Sequence, residues 1–133
     1  AGRPREQDVV ECFAALAGHV SFPAPRTPEE LVQLIAGCDA IAAFRMHAVI
    51  AAYACRVPFL ALAWDPKLDA FVHSVDRDAW LCRSAATPPA TAAERLLAAM
   101  RQGIPDAERR RVVAQAQRGV AMLQDEIARC LTP

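Results

Sequence analysis

Apolar residues in this chain recur with two different periods, and the changes of period mark out its elements. Residues 6–17, EQDVVECFAALA, put Val9, Val10, Phe13, Leu16 and Ala17 on one face at helical spacing. Gly18 offers that helix a stop. The next run, HVSF, is short and strand-like and ends at the breaker PAPR. Thr27 then precedes Pro28, with Glu30 three residues on. A side-chain acceptor, a preset φ and a first-turn carboxylate predict a helix through PEELVQLIAGC. DAIAAF reads as a short buried strand, RMHAVIAAYACR as a helix, and VPFLALAW as a continuous apolar strand. Burial on both faces suits a parallel sheet covered by helices.

Beyond DPK, LDAFVHSVD reads as a short helix or turn and DAWLCRS as one more strand. AATPPAT is a loop, with Thr91 or the residue before it expected to cap a helix over AAERLLAAMRQG. Gly103 ends that helix. Pro105 opens a long one, with Val113, Ala116, Val120, Leu123, Ile127 and Leu131 spaced 3-4-3-4-4 as an apolar stripe.

Helix and strand alternate to about residue 84, and two helices follow. The expectation is a single α/β domain over residues 1–133: a Rossmann-like parallel sheet flanked by helices, with C-terminal helices. Such a unit ordinarily opens on a strand, whereas this chain opens on a helix and carries no GxGxxG or P-loop. Either AGRP is the stub of a removed strand, or the chain is a fragment.

Bulk composition narrows the function. The chain has 133 residues, enough for one core, and its 15 basic and 15 acidic side chains cancel. No field for a polyanion is built in, so nucleic acid is not expected as a partner. No apolar run is long enough to span a bilayer, and AGRPREQD shows no secretory signal, so the expected location is cytoplasmic. Cys12, Cys38, Cys55, Cys82 and Cys130 form no CxxC pair and are expected to be reduced and buried, with no zinc site. No metal or cofactor is called for.

The candidate chemistry lies in FRMHAVIAAYACRVPFLALAWDPK, Phe44 to Lys67. Ligands of open parallel sheets sit at the carboxyl ends of strands. Arg45 and His47 follow one predicted strand directly, and Asp65 and Lys67 follow the next. His47 falls in the first turn of its helix, where backbone N–H groups favour an anion. Lys67 is the chain's single Lys among fourteen Arg. A compact ammonium approaches a phosphate oxygen in a way that a planar guanidinium does not. Arg45 can neutralise an anion, while the imidazole of His47 is a candidate acid or base. His19, His73 and the run Arg109 to Arg111 lack such a setting and read as structural or surface positions.

Residues Gly37 to Val72 resemble the signature of the polysaccharide pyruvyl transferase family. Asp39, a short strand, Arg45, His47 and Ala48, then Val57 and Pro58, then Asp65, Pro66 and Lys67 fall in that family's order. The helix TPEELVQLI is similar as well. Two positions depart from the pattern: Arg56 stands where the family usually has Gly, and Trp64 where it usually has Tyr.

The resemblance implies the C-terminal half of a two-domain, GT-B-like fold whose absent first strand would lie between HVSF and FLALAW; closure of those two strands, a strand from a second copy of the chain, or residues 1–4 would then fill the slot. It also implies pyruvyl transfer from phosphoenolpyruvate to a sugar of a cell-surface polysaccharide or its lipid-linked precursor, at the inner membrane face. His47 would then be catalytic, and Arg45, Asp65 and Lys67 would bind substrate. The half-cleft alone would be inactive. Two other readings stay open: the nucleotide-sugar half of a GT-B glycosyltransferase, and a non-catalytic interaction domain.

Overall fold

A computed structural model describes residues 24–83 and 87–131. The predicted helix at 6–17 and the strand at HVSF lie outside the described residues, as do Cys12 and His19. The order is α1 (Pro28–Ala36), β1 (Ile41–Ala43), α2 (Met46–Ala54), β2 (Phe59–Leu62) and α3 (Pro66–Ser74), then a 3-10 turn at Asp78–Trp80. β3 (Leu81–Cys82), α4 (Pro89–Gln102) and α5 (Asp106–Leu131) complete it. The three strands form one parallel sheet in the order β1-β2-β3, pairing Ile41 with Phe59, Ala43 with Ala61, and Ala61 with Leu81. With helices flanking it, this is the α/β, Rossmann-like arrangement that the alternating pattern predicts.

β2 is the middle strand, and its composition explains why. Phe59, Leu60 and Ala61 are all buried, so both faces of the strand are covered. Phe59 meets Trp80 edge to face, with centroids 5.0 Å apart. Val49, Ala52 and Tyr53 of α2, Leu68 and Val72 of α3, and Ala99 of α4 close the same core. β2 is hydrogen-bonded on both sides, so no empty slot lies beside FLALAW, while HVSF lies outside the described residues.

Helix ends follow local chemistry. Thr27 Oγ1 accepts from Glu30 N at 3.2 Å, while the Glu30 carboxylate reaches Arg26 N rather than Thr27 N, so the capping box closes one residue early. α4 starts at Pro89, before the Thr91 cap expected, because a proline ring presets φ for the first helical residue. DAWLCRS yields only a two-residue strand, since Asp78–Trp80 turn into a 3-10 helix.

Arg56 ends α2 in the left-handed region, at φ +63°, where a Cβ is unfavourable. Val57 N donates to Ala52 O at 2.8 Å, the closing bond of a left-handed helix end. The Arg side chain offsets part of its strain by donating Nε–H to Ile104 O at 2.9 Å. A glycine would adopt the turn freely but would lose this tie to the segment before α5.

One buried polar cluster joins α2, the turn after α3, and α5. Arg77 is 7% exposed, donates Nη2–H to Glu108 Oε2 at 2.6 Å, and lies 4.9 Å from the centroid of the Trp80 ring. Tyr53 donates its hydroxyl to the other Glu108 oxygen at 3.0 Å. Burial first, then the hydrogen bond to Glu108 and the charge of that carboxylate, push the Tyr53 phenol from 10.0 up to about 12.

A folded pKa above the unfolded one means that the native chain keeps the proton after the unfolded chain has lost it. The Tyr53 contribution is therefore complete below about pH 10 and is lost as pH rises through about 12. Tyr53 is the single tyrosine of the chain, so absorbance titration reads it without interference. The expected midpoint is about 12, against about 10 in denaturant. In Tyr53→Phe, the loss of stability that this phenol adds between those pH values should disappear.

α5 leaves its apolar stripe uncovered and corrects the expectation that Cys130 is buried. Only its first two turns approach the core, and every side chain from 115 to 131 is exposed. The apolar stripe is therefore solvent-facing: Val120 is 56% exposed, Leu123 60% and Leu131 77%. Cys130 is exposed on the same helix, unlike buried Cys82 and half-buried Cys38 and Cys55. Arg109 and Arg110 both pair with Asp106, one turn back on the helix.

Candidate functional site

Parallel pairing brings the carboxyl ends of β1 and β2 to one edge of the sheet, each followed by a helix N-terminus. Arg45 is the residue preceding α2, and His47 is the second residue of that helix. Asp65 precedes α3, Pro66 opens it and Lys67 follows. The two segments are clasped together, because Trp64 donates its indole N–H to Phe44 O at 2.8 Å. This bond ties the residue before Arg45 to the residue before Asp65.

The two helix starts differ. Asp65 Oδ1 accepts from Lys67 N at 2.8 Å, so the N-terminus of α3 is capped by its own side chain. Arg45 makes no capping bond, and no acidic residue lies in the first turn of α2. The uncapped N–H groups of α2, beside Arg45 and His47, make this the start at which an anion is favoured. Arg45, His47 and Lys67 are exposed, and none of their side chains bonds or pairs with a described residue. Asp65 thus has a structural task that the sequence left open: it caps α3 and orients the turn carrying Lys67.

His73, read as a surface residue, is exposed and lies 3.1 Å from Asp78. Among the described residues, no three His, Cys, Asp or Glu side chains cluster closely enough to hold a metal ion. A cleft of about 440 Å³ lies elsewhere, lined by Asp78, Trp80, Arg83, Arg95 and Gln102. Its polar groups are largely engaged with the protein: Trp80 with Gln102, Arg95 with Leu81 O, and Arg83 with Asp69. None of the four residues singled out from the sequence lines it, and the sheet edge remains the better candidate.

Sequence reading missed the clasp. Its trace is visible only in hindsight, as an aromatic residue immediately before each charged segment, FRMH and WDPK. Nothing in the spacing alone says that the two aromatics meet.

The polysaccharide pyruvyl transferase family model matches residues 3–66. That span includes Arg45, His47 and Asp65 and stops one residue before Lys67. It also takes in α1, β1, α2 and β2, so the resemblance seen in the motif extends through the strands that carry it. A pyruvyl transferase is a group-transfer enzyme, and the family's name implies a saccharide acceptor. No curated protein and no solved structure matches the chain. Among the described residues, no helix is long and apolar enough to cross a membrane.

Proposed function

We propose that this chain contributes the donor side of a polysaccharide pyruvyl transferase, which moves a pyruvyl group from phosphoenolpyruvate to two hydroxyls of a sugar. The observation that carries the reading is the sheet edge itself. Two cations and a histidine, unpaired with described residues, stand at the starts of neighbouring helices, one of them uncapped.

Phosphoenolpyruvate carries a phosphate and a carboxylate, so its site needs positive charge and N–H donors. Arg45 and the start of α2 suit the phosphate, and Lys67 supplies a second point charge. Protonation of the C3 methylene leaves an oxocarbenium-like centre at C2. One sugar hydroxyl adds there and loses its proton. The C–O bond to phosphate then breaks, the centre re-forms, and the second hydroxyl closes the ketal. Inorganic phosphate is the other product. His47 is the group suited to supply or accept these protons near neutral pH. Asp65 holds the turn that carries Lys67. The second wall of the cleft belongs to a preceding domain in this reading, and the chain by itself binds donor without turnover.

Thermal shift separates this reading from its rivals. Phosphoenolpyruvate is expected to raise Tm, and the rise should shrink in Arg45→Ala and Lys67→Ala. A larger rise with nucleotide sugars would transfer the assignment to a glycosyltransferase half. No response to either class of anion would leave an interaction domain.

A further inference from the structure

We infer that α5 joins two copies of this chain in a parallel, two-stranded coiled coil through its exposed stripe. The inference stands apart from the pyruvyl transferase reading, because α5 carries none of the candidate site residues. Every side chain from 115 to 131 is exposed, those of Val120, Leu123, Ile127 and Leu131 among them. Most helical stability in proteins comes from packing an apolar face, and large apolar side chains aligned along exposed surface mark a contact.

The width of the stripe says what kind of surface it meets. Val113, Val120 and Ile127 recur every seven residues, and Ala116, Leu123 and Cys130 do the same three residues later. Gln117 and Gln124 flank this line on one side, and Gly119 and Glu126 on the other. Between 113 and 130 the strip is therefore two positions wide. A helix laid on a globular wall ordinarily shows a third apolar position in each heptad, whereas a strict two-position strip is the seam of a coiled coil. The occupant is thus another helix. The segment predicted as a helix at 6–17 would be about 18 Å long, against a seam of about 26 Å, and would leave part of it open.

Residue types point to a second α5. β-branched residues in the first row of the seam, with Leu in the second, favour two parallel strands. Val113, Val120 and Ile127 are all β-branched, and Leu123 holds the middle of the second row. Charge presents no obstacle to self-pairing. The flanking ion, Glu126, is paired with Arg129 of its own helix at 2.8 Å, and the other flanking residues are uncharged. A seam of this length hides about 1,000 Å² over the two copies, at the lower bound of a specific interface, so the dimer should be reversible in the micromolar range.

Parallel alignment has a chemical signature. Cys130 lies in the second row and is exposed. In a parallel pair the two Cys130 thiols face each other across the seam. In an antiparallel pair each would lie opposite Val113, about 26 Å from its counterpart.

Sedimentation equilibrium of this chain across a micromolar concentration series is expected to show a reversible dimer. Leu123→Glu and Ile127→Glu change side chains that are exposed in the single chain, so near-ultraviolet circular dichroism should show an unchanged core. Both should raise Kd of the dimer about 30-fold or more. Met122→Glu, on the same helix but off the seam, should stay within twofold of wild type. Diamide, which takes two electrons and two protons from a pair of thiols, should link Cys130 of one copy to Cys130 of the other. The linked dimer should be missing in Cys130→Ser. A monomer at every concentration, or a dimer that Leu123→Glu and Ile127→Glu leave intact, would overturn the inference. Equal weakening by Met122→Glu would rule out the seam, and a dimer without the Cys130 link would rule out its parallel alignment.

Discussion

His47→Ala is expected to lower kcat of the intact enzyme by about 10²–10⁴-fold, the usual contribution of a positioned acid or base. KM for phosphoenolpyruvate should change far less. Arg45→Ala and Lys67→Ala should show the opposite division, with KM for the donor raised and kcat nearly kept. The distinction follows from position. All three side chains are exposed and without partners among the described residues, so none is needed to hold the sheet edge in shape. Arg45 and Lys67 are cations suited to attract and orient an anionic donor. An imidazole is suited to proton transfer. His47→Gln keeps some hydrogen-bonding capacity without that transfer, and should be as slow as the alanine variant if proton transfer is the role. Near-normal kcat in His47→Gln, with KM raised in His47→Ala, would make this residue a phosphate ligand instead.

The largest effect on folding is expected at Glu108. Its two carboxylate oxygens are divided between Tyr53 and Arg77, which lie in different parts of the core. Arg77 is 7% exposed and its Nε is already buried without a partner. Glu108→Ala would leave the guanidinium buried with its charge uncompensated, a change that typically costs about 3–5 kcal/mol. Against a usual margin of about 5–15 kcal/mol, that loss should be visible as a large fall in the urea midpoint. Glu108→Gln should cost much less, since the amide oxygen can accept from Arg77 while its NH₂ donates to the Tyr53 hydroxyl. Equal loss in the two variants would mean that the charge itself, rather than the hydrogen-bond pattern, holds this cluster. The first turns of α5 should loosen together with the cluster, because Glu108 lies in them. Faster hydrogen exchange at the N-terminal end of that helix would report it.

Much of this protein is legible from residue order alone, and the reason is local. Thr27 with Pro28, and Gly103, act on N–H and C=O groups within a turn of themselves, so they mark where helices begin and end. The apolar run of β2 predicts burial on both faces because side-chain direction alternates along any strand. A parallel sheet then follows from helices intervening between strands, and with it the shared edge that carries Arg45, His47, Asp65 and Lys67.

Strand neighbours, by contrast, are chosen by long-range pairing, and only the fold gives the order β1-β2-β3, with β2 paired on both sides. The stripe on α5 has the same period as a core-facing helix, yet it is exposed, because periodicity describes a face and says nothing of what covers it. Arg77, one of fourteen arginines, became a buried ion of the core only when Glu108 and Trp80 came to surround it. The clasp between Trp64 and Phe44 joins residues 20 positions apart, and only the pairing of their two strands brings one to the other.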